Sequence, residues 1–162
     1  MKIRKYLWVL NLIGGLIIMI SILTPTSYND TNPTLYFVWM TQIGVDVEPL
    51  VIYLLRTDLM LVTISTILAL IIFSSGLMTI TLTSIYLRAS LPFKKLKWKM
   101  ILLAILVIVS ALFWIIMMES FYNTYGFNHW SFTGGGYSPS YGVILPFIGA
   151  AFLVVGSFIR RE

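Results

Sequence analysis

The sequence predicts an all-α transmembrane protein: a four-helix bundle with both termini cytoplasmic and a small extracellular cap containing short β-strands. Three observations predict it. Four long apolar stretches alternate with polar connections, and 59% of the 162 residues are hydrophobic, well above the roughly 45–50% of soluble domains. Ten of the eleven Lys and Arg residues fall into three clusters: Lys2, Arg4 and Lys5; Arg88, Lys94, Lys95, Lys97 and Lys99; Arg160 and Arg161. Five of the six acids, Asp30, Asp46, Glu48, Asp58 and Glu119, lie in the two remaining connections. Lys and Arg are retained on the cytoplasmic side of a bilayer, so an even number of spans puts all three clusters inside. The localisation that follows is the cell membrane, multi-pass.

The first span is expected over residues 6–24, ending at Pro25, just long enough for a hydrocarbon core that needs ~20 residues. Its basic start resembles a secretion signal, but its apolar run is long and no small-x-small cleavage site follows, so it reads as an uncleaved anchor. The second span, 58–87, exceeds what crossing requires and should tilt or project. The third covers 100–118. The fourth covers 139–159, with Ser138 as cap and Pro139 in the first turn. The inner loop 88–99 is short, which makes spans two and three antiparallel neighbours, and Pro92 keeps them from merging.

The outer connections, 26–57 and 119–138, differ in character. The first opens on a turn-rich run, Ser27 to Pro33. Thr34 to Val47 is rich in β-branched and aromatic residues and is expected to give one or two short strands. Glu48-Pro49 suits the first turn of a short helix. The second connection concentrates aromatic residues, Trp130 among them, which favour the headgroup level, and Gly134-Gly135-Gly136 gives it a joint.

Little in the chain points to catalysis. There are no cysteines, which removes disulfide exchange, thiolate catalysis and Cys-based metal sites together. His129 is the only histidine, and it shows no ligand spacing with the scattered carboxylates. Inside the spans, past Asp58 at the outer end of the second, there is no Asp, Glu, Lys, Arg or His, whereas ion and proton paths generally use one. No cofactor, no metal and no nucleic-acid partner is expected, the basic residues being topogenic. The expected partners are the lipid bilayer and either another membrane protein or a second copy of the chain.

Packing signals are sharper. Gly142, Gly149 and Gly156 recur every seven residues in the fourth span, which holds them near one helical face and permits close backbone approach. Gly14-Gly15 in the first span is the natural opposing surface. Asn11, the most polar side chain within a span, is expected to make an interhelical hydrogen bond. Pro146 should kink the last helix, its ring lying over the carbonyl of Gly142. The second span carries many hydroxyls, which can bond to their own helix carbonyl four residues back. In the outer loops, Trp39, Arg56, Glu119 and Trp130 are the interaction candidates, and Asn29-Asp30-Thr31 matches a glycosylation acceptor at Asn29.

The layout resembles the claudin and peripheral-myelin-protein group of four-span proteins. Trp39 lies where that group carries an outer-loop tryptophan, Arg56 precedes a long second span, and Phe121-Tyr122-Asn123 resembles a claudin segment just after the third span. The chain departs from the group in lacking the two loop cysteines and the Gly-Leu-Trp before them. The resemblance implies that the first-loop strands join a segment of the second loop in one small sheet. The function expected is that of a non-enzymatic protein acting through lateral or extracellular contacts; the alternatives are an accessory subunit of a larger transporter, enzyme or secretion complex and, third, a small channel or transporter, which the uncharged spans disfavour.

Overall fold

The computed structural model describes residues 8–29, 34–36, 41–44, 52–54, 59–89, 94–124 and 137–158. Among these residues there are four helices: α1 (Trp8–Ser21), α2 (Leu59–Arg88), α3 (Lys94–Thr124) and α4 (Tyr141–Ser157). They pack in a ring, α1 against α2 and α4, and α3 against the same two. α2 and α3 are each long and apolar enough to cross a membrane, while α1 and α4 are shorter apolar helices of 14 and 17 residues.

Helix ends differ from expectation where side chains intervene. α1 stops at Ser21 rather than residue 24, because Pro25 disfavours helical backbone in the residue before it. The hydroxyls of Ser21 and Thr24 then donate to the carbonyls of Ile18 and Ser21, at 2.6 and 2.8 Å, taking up acceptors the helix end leaves open. α3 exceeds its expected span of 100–118 at both ends. Its first turns bury Leu96 and Met100 while Trp98 and Lys99 face outward, so lysines end the hydrophobic window without ending the helix. The inner loop of 88–99 accordingly contracts, and Glu119 lies within α3 rather than at the start of a loop. Phe121-Tyr122-Asn123 is likewise helical.

Among the described residues, five short strands form one antiparallel sheet in the order β4-β3-β2-β1-β5: β1 (Ser27–Asn29), β2 (Thr34–Tyr36), β3 (Thr41–Gly44), β4 (Ile52–Leu54) and β5 (Tyr137–Pro139). β1 occupies residues read from sequence as turn, since Tyr28 favours a pleated strand over a turn. β4, with Ile52 and Tyr53, lies where a helical lead into α2 was expected after Glu48-Pro49; those two residues themselves fall outside the described set, as does Gly134-Gly135-Gly136.

The start of α4 is a further correction. Ser138 and Pro139 belong to β5, with Tyr28 opposite Ser138 and Ser27 opposite Pro139. β5 is at the margin of the sheet, where a proline without an N–H is tolerated. Ser140 is the N-cap, with extended backbone and no side-chain cap bond. Helix donors are satisfied from outside instead: Ser140 N–H donates to the Thr26 carbonyl and Gly142 N–H to the Pro25 carbonyl, each at 2.8 Å. The turn between α1 and β1 thus caps α4 and joins the sheet to the bundle. α4 continues through Pro146, which is buried.

Candidate functional site: a glycine-lined helix contact

Two apolar clusters fill the bundle. One gathers Ile18, Ile72, Met100, Val107 and Leu153, the other Leu68, Ala69, Trp114, Met118 and Val143. Between these large side chains, α1 is held by glycines on both sides. Gly14 and Gly149 face each other across α1 and α4: a Cβ on Gly14 would lie 2.8 Å from the Gly149 carbonyl oxygen, and one on Gly149 would lie 2.9 Å from that of Gly14. One residue further on, Gly15 faces α2. Its Cβ would meet the Gly76 carbonyl at 3.0 Å, and a Cβ on Gly76 would meet the Gly15 carbonyl at 2.8 Å. Adjacent residues on a helix point about 100° apart, so one Gly-Gly pair opens α1 to two neighbours at once. Backbone proximity of this kind brings many atoms of two helices into van der Waals contact, the interaction by which helices associate where no hydrophobic drive acts.

Gly142 and Gly156 extend the contact along α4. A Cβ on Gly142 would collide with the backbone of Thr24 and Pro25, the segment that caps the helix. At the other end, a Cβ on Gly156 would overlap the Asn11 side-chain oxygen. Gly14, Gly15, Asn11, Gly142, Gly149 and Gly156 are therefore drawn together within one molecule, and the glycine face of α4 is taken up by α1. Gly76 was not singled out from the sequence. Its signal was available: as the only glycine in α2 it costs the helix about 1 kcal/mol relative to Ala, which calls for a packing reason.

Asn11 corrects another expectation. It is 1% exposed, yet its Oδ1 accepts no hydrogen bond. The oxygen rests against Gly156, whose Cα–H supplies only a weak contact. Asn11 is thus a packing residue with an unsatisfied acceptor. Removing that acceptor should relieve a desolvation cost, so Asn11→Ala is expected to stay within about 1 kcal/mol of the wild type. Gly156→Ala should destabilise by about 1 kcal/mol alone and by almost nothing in the Asn11→Ala background, a coupling of the size that touching residues show. Thermal midpoints of the four proteins in one detergent measure it; additive effects would contradict the contact.

Four of the α2 hydroxyls bond to their own helix. Thr66, Ser75, Thr79 and Thr81 donate to the carbonyls of Val62, Ile71, Ser75 and Leu77, at 2.7–2.9 Å. Ser65 and Thr83 are buried, with oxygens that have no partner. Among the described residues the buried polar side chains are Asn, Ser and Thr, with Tyr86 the phenol of the core, and none of the buried residues is Asp, Glu, Lys, Arg or His. An interior void of about 10 Å³ between Ser21, Thr26, Ile72, Trp114 and Pro146 has room for about one water and no substrate.

Trp39, Arg56 and Trp130 lie outside the described residues, as does His129. Glu119 is half-buried in the last turns of α3. Asn29 is the final residue of β1, opposite Thr34 of β2 and Tyr137 of β5. No family model matches the chain, and neither a curated protein nor a solved structure is similar to it.

Proposed function

We propose that this chain is a non-enzymatic, four-span membrane protein of claudin-like architecture, with both termini cytoplasmic, acting through lateral or extracellular protein contacts. The observation that carries this reading is the sheet order β4-β3-β2-β1-β5, in which a strand from the connection after α3 completes strands from the connection after α1. The resemblance implies that arrangement, and it yields a folded cap rather than two independent loops. Arg88 at the end of α2 and Lys97 and Lys99 in the first turns of α3, at the end of the helices away from the sheet, support the orientation. The uncharged core argues against an ion or proton path. Trp39, Arg56, Glu119 and Trp130 are the side chains assigned to outer contacts, and Asn29 the acceptor for a glycan on the same side.

A second reading, an accessory subunit of a larger membrane complex, is favoured by the broad apolar faces that α2 and α3 leave exposed, Leu70, Leu102, Val109 and Ile116 among them. Native mass analysis after extraction in gentle detergent separates the two. A homo-oligomer or a monomer that binds its own kind between cells supports the first; a stoichiometric foreign membrane protein supports the second.

Topology has its own test, made clean by the cysteine-free background. Cysteines introduced by Ser27→Cys and Ser131→Cys should react with an impermeant thiol reagent on intact cells, and one introduced by Ser90→Cys should not. Labelling at position 90 alone would reverse the orientation and remove the outer-cap reading.

A further inference from the structure

At the basic end of the bundle, α2 and α3 form a composite surface that the packing of the four helices does not use. Lys99 and Arg88 are both exposed, and neither has an acid near it in sequence: no Asp or Glu occurs between Leu59 and Met118. Lysines in the first turns of a helix also oppose its dipole, and α3 has no acid in its first turn. These cations gain nothing from each other. The two described lysines near this end sit over aromatic rings: Lys99 Nζ lies 5.8 Å from the centre of the Tyr86 ring, and Lys97 Nζ 4.3 Å from that of Phe158, the residue that follows α4. Tyr86 and Arg88 both lie in the last turn of α2, so the Lys99 ammonium reaches back to the end of that helix, where Arg88 leaves from a different face.

From this pair an apolar track runs into the bundle. On α3, Lys99, Leu103 and Leu106 share one face at i, i+4 and i+7; on α2, Ser74, Met78, Thr81, Ile85 and Arg88 do the same. The Thr81 hydroxyl is spent on the Leu77 carbonyl at 2.9 Å, which leaves its methyl as outward surface. The track opens into a groove of about 260 Å³ between the two helices, lined by Leu70, Ser74, Ser75, Met78, Leu103 and Leu106. Arg88 is ten residues from Met78, about 15 Å along the helix, half the ~30 Å thickness of a bilayer's hydrocarbon.

We propose that this face is a binding site for one anionic phospholipid, its phosphate between Arg88 and Lys99 and the distal part of one acyl chain in the α2–α3 groove. The inference rests on the membrane-spanning reading above. Charge complementarity selects the occupant: a partner helix would have to bring its own acids to the headgroup level, whereas an anionic lipid carries a phosphate at that level on a chain that follows the track. The surface potential of a cytoplasmic leaflet attracts such cations.

Native mass spectrometry of the full chain tests it, with dioleoylphosphatidylglycerol or dioleoylphosphatidylcholine added in equal amounts; the two share their chains and differ in headgroup charge. One phosphatidylglycerol should be retained in preference to phosphatidylcholine. Retention should fall about fivefold for each of Arg88→Gln and Lys99→Gln. Ser74→Trp, which fills the groove, should reduce retention of both lipids, and Ile116→Trp, at an exposed site elsewhere on α3, should reduce neither. Equal retention of the two lipids, indifference to Ser74→Trp, or displacement by inorganic phosphate would overturn the two-part site. So would a dimer that Ser74→Trp converts to monomer without loss of lipid, since a partner helix would then occupy the groove. Alkaline extraction of the host membranes keeps the two failures apart: a chain that stays in the pellet but binds no lipid ends this proposal alone, and a chain released to the supernatant ends the membrane reading with it.

Discussion

Replacing Gly149 by Leu should abolish the compact bundle, or lower its stability by on the order of 3 kcal/mol or more. The first atom added already lies 2.9 Å from the Gly14 carbonyl oxygen and 2.5 Å from Ile18 Cγ1. A side chain end can rotate away, but a backbone carbonyl moves only if α1 moves with it. α1 cannot retreat freely, because the face about 100° around from Gly14 is fixed by Gly15 against Gly76. The strain therefore spreads to the α1–α2 contact and to the buried Ile18 and Leu153, both 0% exposed. Gly149→Ala should show the same effect more weakly, at about 1–3 kcal/mol. Ala151→Leu, on the exposed side of the same helix, should change stability by less than about 0.5 kcal/mol. Thermal unfolding followed by tryptophan fluorescence, together with the elution profile in detergent, reads all three. An unchanged midpoint for Gly149→Leu would show that α1 and α4 are not in this contact.

Tyr28→Cys combined with Ser138→Cys should form a disulfide almost completely on mild oxidation. The two residues are directly opposite in β1 and β5, where Cβ atoms of an antiparallel pair stand about 4.5–5.5 Å apart, near the separation that a disulfide bridges. The bond would close a loop of roughly 110 residues, for which the chain-entropy estimate approaches about 4.7 kcal/mol as an upper figure. A faster-migrating band without reductant and a raised thermal midpoint are the expected signs. Tyr28→Cys with Ile43→Cys is the control. Those positions are two strands apart through Leu35, about 10 Å at the usual strand spacing, beyond a disulfide's reach. Cross-linking of the control in place of the 28–138 pair would overturn the strand order, and with it the main support for a shared outer cap.

The helices were legible because each carries its signal locally. Apolar runs give α2 and α3 nearly on their own, and the seven-residue glycine spacing marks the face of α4 that meets α1. Element ends were less legible. Lys94 to Lys99 stop the hydrophobic window, but a helix needs only Leu96 and Met100 on one side to continue. Ser138-Pro139 has the composition of a helix start, yet the same two residues also suit a marginal strand, and the choice between them depends on β1 lying alongside. Asn11 shows the same limit: composition says that a buried amide wants a partner, while only the opposite helix decides whether it finds an acceptor, a donor or the Cα of Gly156.

By itself, then, the sequence determined the number and rough extent of the helices, the separation of basic from acidic ends, and the absence of cysteine chemistry. These are properties of single segments, set by hydropathy and charge along the chain. The tertiary structure decided which glycine meets which: Gly14 with Gly149, Gly15 with Gly76, Gly156 with Asn11. It also decided that residues 137–139 pair with 27–29 and that the α1–β1 turn caps α4. Each of these is a contact between segments distant in sequence. Its energy comes from the close approach of two backbones, and neither segment alone carries information about the other.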